Sequence, residues 1–228
     1  MKLKHHRDVF VMVASGREIY PFREPHEIAP HLELVDVAHH LQNIGRFAGG
    51  TRRFYCVAQH SVLCAHVAAS YFQGLGPSSP LPWWEASLVM AFHDGPEYVV
   101  NDLPGPIKSV APWCPDPEGS GETLSLDAYH LAENNVWNAF VQRFELHAYG
   151  IGMPEWLDPI DKAVLRAEMD VLMPPTRSPV PVDPRFERFL PRLRSILKAG
   201  TWPSDTGAPR FLNCVNRLLA FRKRGGVA

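Results

Sequence analysis

The residues best placed to do chemistry are His93 and Asp94, adjacent at the end of the apolar run Leu88–Phe92. A carboxylate carried into a protein interior by such a run is costly unless it is paired or bound to a cation. A metal ion meets that need, because imidazole nitrogen and carboxylate oxygen both suit borderline divalent ions. His60 lies in a second apolar stretch, where burial disfavours the imidazolium and leaves a lone pair free. Asp161, near the start of a later helix, offers a fourth donor. Two histidines and two carboxylates leave coordination positions for water and substrate. That arrangement lowers the pKa of water and polarises a phosphoryl oxygen. Spacing leaves alternatives open. Asp158 can serve as the fourth ligand in place of Asp161, and Asp161, three residues later, can instead support a helix N-terminus. His60 taken alone reads as a hydrogen-bonded core histidine more often than as a ligand.

The elements that must position these groups are helical. Leu34, Val37, Ala38, Leu41, Ile44 and Ala48 form one stripe at helical spacing, with Asp36, His40, Asn43 and Arg46 on another face and Gly49-Gly50 as the stop. A helix over about Val57–Phe72 is apolar almost all round and is expected to be buried, carrying His60 with it. A third spans about Trp84–Asp94, and Gly95-Pro96 then kinks or restarts it. Leu124–Leu146 reads as a long helix with Leu124, Leu131, Val136, Trp137, Phe140 and Phe144 on its apolar side. Asp158-Pro159 reads as an N-cap with proline at the first helical position, opening a helix to about Met173. Two more helices, about Pro184–Lys198 and Ala208–Arg224, follow. Before them all, the alternating Val9, Val11 and Val13, then Ser15-Gly16 and Glu18–Phe22, suggest a small hairpin. The expected fold is all-α: a single domain over residues 1–228, with a motif-bearing core at about 14–173 and C-terminal helices at 184–224.

Composition narrows the function. The chain has 228 residues, 46% apolar and 21% charged, an ordinary globular mixture with enough length for a sizeable core. Its formal net charge of −1 supplies no basic field for a nucleic-acid polymer, whereas a small anion needs only a few placed cations. No segment approaches the roughly 20 apolar residues of a membrane span. Cys56 and Cys64 read as small core residues, and all four cysteines, with Cys114 and Cys214, as reduced thiols of a cytoplasmic protein. The 22 prolines cluster at Pro77–Pro82, Pro104–Pro117 and Pro174–Pro191, marking the loops. The stretch Pro112–Glu122 reads as a long loop or insertion.

Taken together, the motifs resemble the HD-domain phosphohydrolase superfamily. The closer match is to the branch of bacterial 5′-deoxynucleotidases and phage deoxynucleotide phosphohydrolases. The residues that carry it are Asp36-Val37-Ala38-His39, Ile44-Gly45-Arg46-Phe47, Thr51 through His60-Ser61, and His93-Asp94-Gly95-Pro96-Glu97, then Asp102 through Lys108, Asp161 and Glu168-Met169-Asp170. The resemblance implies an HD-type helical bundle and one divalent ion on His60, His93, Asp94 and Asp161. It implies roles for Glu97 and Asp102 near the attacking water or the leaving oxygen, with acid and base unassigned. It implies that Arg46 meets the substrate phosphate and sugar; its plain alternative is a surface arginine at a helix C-terminus. Lys108 either adds positive charge nearby or stands solvated at a helix end, and Asp102 alternatively caps a helix beginning near Leu103. The chain departs from the family at Gly95-Pro96, where a small helix-compatible residue is usual, and at Phe47, where some relatives have tryptophan.

The expected activity is removal of the 5′-phosphate from deoxynucleoside monophosphates, by a homodimer or higher homo-oligomer as the resemblance implies. The alternative within the class is a deoxynucleoside triphosphate triphosphohydrolase. A nucleotide-binding regulator with an inactive site is the alternative from another class; it would need no full set of ligands and acid–base carboxylates. The ion is left open among cobalt, manganese, zinc, iron and magnesium.

Overall fold

A computed structural model describes residues 6–104, 107–108, 127–146, 154–175, 179–203 and 205–225. The long apolar runs become the centre of an all-α bundle. Helix α1 spans Pro25–Ile28, α2 Leu34–Asn43, α3 Val57–Leu75, α4 Trp83–Phe92, α5 Glu97–Val100 and α6 Asp127–Arg143. Helices α7 (Leu157–Leu172), α8 (Pro184–Glu187), α9 (Leu190–Ala199) and α10 (Gly207–Lys223) follow. The small hairpin is present: β1 (Val11–Met12) pairs antiparallel with β2 (Glu18–Ile19), Val11 opposite Ile19. None of the described helices is long and apolar enough to cross a membrane. The Pro112–Glu122 stretch, Leu124 and Cys114 lie outside the described residues.

The most apolar helices lie innermost. Helix α3 is buried continuously from Val57 to Ala65, and α4 from Ala86 to Phe92. These two pack along each other; α10 covers α2, α3 and α4, while α7 contacts α3 on one side and α9 on the other. Pro82 precedes the first turn of α4, and α3 ends where Gly76 takes φ +54°. At the end of α4 the chain must turn sharply without losing its packing. A Cβ at Gly95 would stand 2.7 Å from the Phe92 carbonyl and 3.0 Å from the Phe140 ring, so glycine is required by close approach. Pro96 then starts α5, which re-aims Glu97 away from the axis of α4.

Several local expectations are corrected. The amphipathic helix ends at Asn43, so Arg46 is not on it. An isolated antiparallel bridge, Gly45 with Cys56, closes a loop whose backbone bonds run from Arg46 N to Tyr55 O (2.9 Å) and Val57 N to Ile44 O (3.0 Å). Tertiary pairing overrides the helical period there. Inside this loop Phe47 and Ala48 take φ +57° and +51°, a left-handed conformation non-glycine residues rarely adopt. Asp158 is not an N-cap, because the helix begins at Leu157; Asp158 lies in its first turn and pairs with Lys162 at 2.7 Å. Leu131 is 49% exposed rather than core, and the helix expected over Pro184–Lys198 is two, α8 and α9. Ile107 and Lys108 are helical and both donate through N to the Pro104 carbonyl, so a helix does begin close to Leu103.

A surface network ties α7 to α9. Asp170 accepts from Arg166 Nε at 3.0 Å and from Arg194 Nη2 at 2.6 Å. Burial opposes its ionisation, but the hydrogen bonds and charges of these two arginines together hold its carboxyl below the ordinary aspartate value. A carboxyl depressed by folding stabilises above its unfolded pKa, and that stability is lost as pH falls through its folded pKa. Asp170→Asn is therefore expected to cost about 1 kcal/mol near neutrality, discounted for solvent screening. The difference from wild type should close below about pH 4. Urea denaturation at several pH values measures it; a pH-independent difference would contradict the assignment.

Candidate metal centre

Three inner helices bring the chemical groups together. His60 is on α3, His93 follows the last turn of α4, Asp94 is the next residue, and Asp161 is on α7. The structure places all four of these sequence-selected residues side by side. His60 Nε2 lies 2.9 Å from Asp161 Oδ1, 3.4 Å from Asp94 Oδ2 and 3.2 Å from His93 Nε2. His93 Nε2 lies 3.4 Å from Asp94 Oδ1 and 3.8 Å from Asp161 Oδ1. Asp158, the open alternative, is 62% exposed at its side chain and turned to Lys162.

The far nitrogens fix the tautomers. His60 Nδ1 donates to Glu168 Oε1 at 2.6 Å, and His93 Nδ1 donates to the Met90 carbonyl at 2.7 Å. A proton on each Nδ1 leaves a lone pair on each Nε2. The two Nε2 atoms face each other across 3.2 Å inside the protein, and their lone pairs are free whenever the rings are neutral. Asp161 Oδ1 stands beside them, buried and without a hydrogen-bond partner among the described residues. These are donors converging on a point where positive charge belongs. For metal–ligand bonds of about 2.0–2.2 Å, donors sharing one ion stand about 2.9–3.5 Å apart; most of the observed separations fall there.

Charge gives the same answer. Asp94, Asp161 and Glu168 are held as carboxylates, while Arg46 supplies one cation at Asp94 (3.0 Å) and Glu168 (3.4 Å). Three carboxylates against one guanidinium leave two negative charges, which one divalent ion balances. Burial works against charge on both histidines, yet Cys64, Glu168 and Asp161 around His60, and Asp94 and Asp161 beside His93, hold both imidazoles well above their ordinary range; protons on Nε2 thus compete for the place a cation would take, and binding of an ion would displace them. Burial likewise opposes ionisation of Asp161, which the two imidazoles nevertheless keep well below the aspartate range. A buried group of His60, Cys64, His93 and Asp161 has donor atoms within 4.8 Å of one another and can hold a metal ion.

The remaining selected residues surround this cluster. Glu97 is 3% exposed, and burial first, then the charges of Asp94 and Asp102, push its carboxyl well above the glutamate range. Lys108 is not a solvated lysine: its Nζ lies 3.5 Å from Glu97 Oε1 and 3.1 Å from Glu133 Oε1. Arg46 is not a surface arginine either, being 9% exposed. Asp102 lines an open cleft of about 890 Å³ with His39, His40, Asn43, Gly45, Phe54 and Asn101. One wall is the hairpin, held to α2 where Ser15 donates through N and Oγ to the Asp36 carboxylate at 2.9 and 2.7 Å.

Three residues were not assigned roles by sequence reasoning. Glu168, fully buried, accepts from Tyr55 Oη at 2.6 Å as well as from His60. Its signal was its place seven residues after Asp161, two turns along the same helix face. Cys64 is one turn beyond His60 on α3, with Sγ 3.4 Å from His60 Nε2. Tyr55 gave no such signal, because it reaches the site from a loop.

No family model matches the chain. It is 32% identical over 103 residues to the uncharacterized protein YfdR of Escherichia coli (strain K12), a match covering 45% of this chain and 48% of that protein. It is 36% identical over 81 residues to the uncharacterized protein RCAP_rcc00048 of Rhodobacter capsulatus, covering 35% of this chain and 38% of that protein. The chain spans less than half the length of each of these curated relatives.

Glu168 offers a direct check on the centre. Glu168→Gln keeps the shape but weakens the acceptor that holds His60 Nδ1–H. Zinc or cobalt affinity, read by competition with a chromophoric chelator, is expected to fall about 10- to 100-fold. Unchanged affinity in a folded variant would remove Glu168 from any role in orienting His60.

Proposed function

We propose that the chain is a metal-dependent nucleotide phosphohydrolase that removes the 5′-phosphate from deoxynucleoside monophosphates. The observation that carries this reading is the pair of imidazole Nε2 atoms facing each other at 3.2 Å beside Asp161 Oδ1, which is buried with no hydrogen-bond partner among the described residues. His60, His93, Asp94 and Asp161 would hold the ion. When bound, a divalent ion supplies a lowered water pKa and polarises a phosphoryl oxygen.

The chain's own residues supply the rest. Arg46 holds a planar fork of donors at the edge of the cluster, suited to phosphate oxygens. Glu97, buried and pushed toward its protonated form, is suited to give a proton to the leaving oxygen. Asp102 lines the cleft, where the nucleoside would lie. Among the described residues the cleft lining contains no lysine or arginine, which favours a single phosphate over a triphosphate tail. The motif resemblance to HD-domain phosphohydrolases supports the same reaction class.

A nucleotide panel run with several divalent metals tests the reading by product identity. Inorganic phosphate from deoxynucleoside monophosphates is expected; release of triphosphate from deoxynucleoside triphosphates, or no turnover with any metal, would sink it. In the same assay Asp161→Ala should lose both bound metal and turnover, whereas Asp158→Ala should keep both.

Glu97 gives an independent check on the proton-transfer assignment. Glu97→Gln is expected to retain metal while kcat falls about 10²-fold or more. Near-normal kcat in that variant would return Glu97 to a structural partner of Lys108.

A further inference from the structure

We propose that the Cys64 sulfur is a further donor to the ion, and that it makes this a site for a thiophilic divalent metal (zinc, iron or cobalt) rather than magnesium. The inference rests on the metal-centre reading above and adds to it the class of metal.

Cys64 is fully buried and lies one helical turn after His60, so both side chains leave the same face of α3. Its Sγ stands 3.4 Å from His60 Nε2, the lone-pair nitrogen, and 4.0 Å from Nδ1, the protonated one. The sulfur therefore sits on the metal side of the ring. For metal–sulfur bonds of about 2.3 Å and metal–nitrogen bonds of about 2.0–2.1 Å, the two donors stand about 3.0–3.6 Å apart. The same sulfur joins His60, His93 and Asp161 in one group whose donor atoms all lie within 4.8 Å of one another. The buried, unpartnered Asp161 Oδ1 independently marks that point as a ligand position.

A small core thiol elsewhere on α3 would pack as well. Here the sulfur is set among imidazoles and a carboxylate, not among aliphatic groups alone. Coordination breaks the S–H bond, sends the proton to solvent and forms a sulfur–metal bond, with no change of oxidation state. Magnesium prefers all-oxygen surroundings and dehydrates reluctantly, so a site of two imidazoles and a sulfur disfavours it.

The full chain is stripped of metal and titrated with cobalt(II), and absorbance is recorded. A sulfur donor gives a near-ultraviolet charge-transfer band; any protein donor set gives visible ligand-field bands. Wild type is expected to show both. Cys64→Ser and Cys64→Ala are expected to keep the visible bands and lose the near-ultraviolet band, and their preference for zinc over magnesium should narrow. Visible bands without a charge-transfer band in wild type would overturn the sulfur donor while leaving the metal centre standing. So would a band that persists in Cys64→Ser, since the sulfur would then come from another cysteine. If wild type shows neither band and binds no cobalt, the metal centre itself fails. Because the wild-type spectrum decides between these results, a poorly folding variant does not remove the test.

Discussion

Three carboxylates, Asp94, Asp161 and Glu168, gathered around one guanidinium where α3, α4 and α7 converge, set the terms for the rest of the molecule. The cost of holding them is reduced in stages. Arg46 takes up part of the charge at Asp94 and Glu168. Tyr55 and His60 donate to Glu168. The remainder falls on the space between the two Nε2 atoms. Removing one partner of such a network leaves an uncompensated buried charge and costs several kcal/mol, typically about 3–5. The groups are therefore best regarded as one unit, in which metal affinity, side-chain orientation and local stability change together.

The apolar helices serve that unit by making it dry. With α3 and α4 buried along most of their length, water competes little for the donors near His60 and His93, and electrostatic interactions there are stronger than at a surface. The turn after α4 is where this packing meets the chemistry. Gly95 lets Phe140 press against the backbone directly after Asp94, and Pro96 begins the short helix that carries Glu97. The Gly95-Pro96 turn thus gives Glu97 a short helix of its own. The pinned loop of Gly45 and Cys56 does the same for Arg46, holding it with left-handed backbone on its C-terminal side. Strain of this kind persists only where surrounding structure over-determines it.

What could be read in the sequence followed the distinctive residue types. His60, His93, Asp94 and Asp161 stood out because polar, ligand-capable side chains were set in apolar helical runs, and the structure brings them together. The all-α architecture and the hairpin followed from periodicity. Arg46 was misplaced on a helix because the period of α2 runs on past Asn43, while a backbone bridge from Gly45 to Cys56, eleven residues further on, ends the helix early. Cys64 was read as a small core residue and is one, fully buried; its closeness to His60 Nε2 is what no local pattern reveals. Tyr55 could not be found, because its contact with Glu168 spans 113 residues and leaves no local pattern.

That separation has a consequence for how the protein is made. His60 and Glu168 lie 108 residues apart, so the orienting bond to His60 cannot form until α7 has docked against α3. A chain emerging from the ribosome exposes His60, Cys64 and His93 well before Asp161 and Glu168 exist. Contacts of such long sequence range form late and slowly. Under the proposed metal centre, the early donors would meet an ion first, and only the later arrival of Asp161 would complete the ligand set while Glu168 orients His60. Selection of the proposed ion would in this sense be a matter of folding order as well as of ligand chemistry: the histidines come first, and the residues that balance the charge come last.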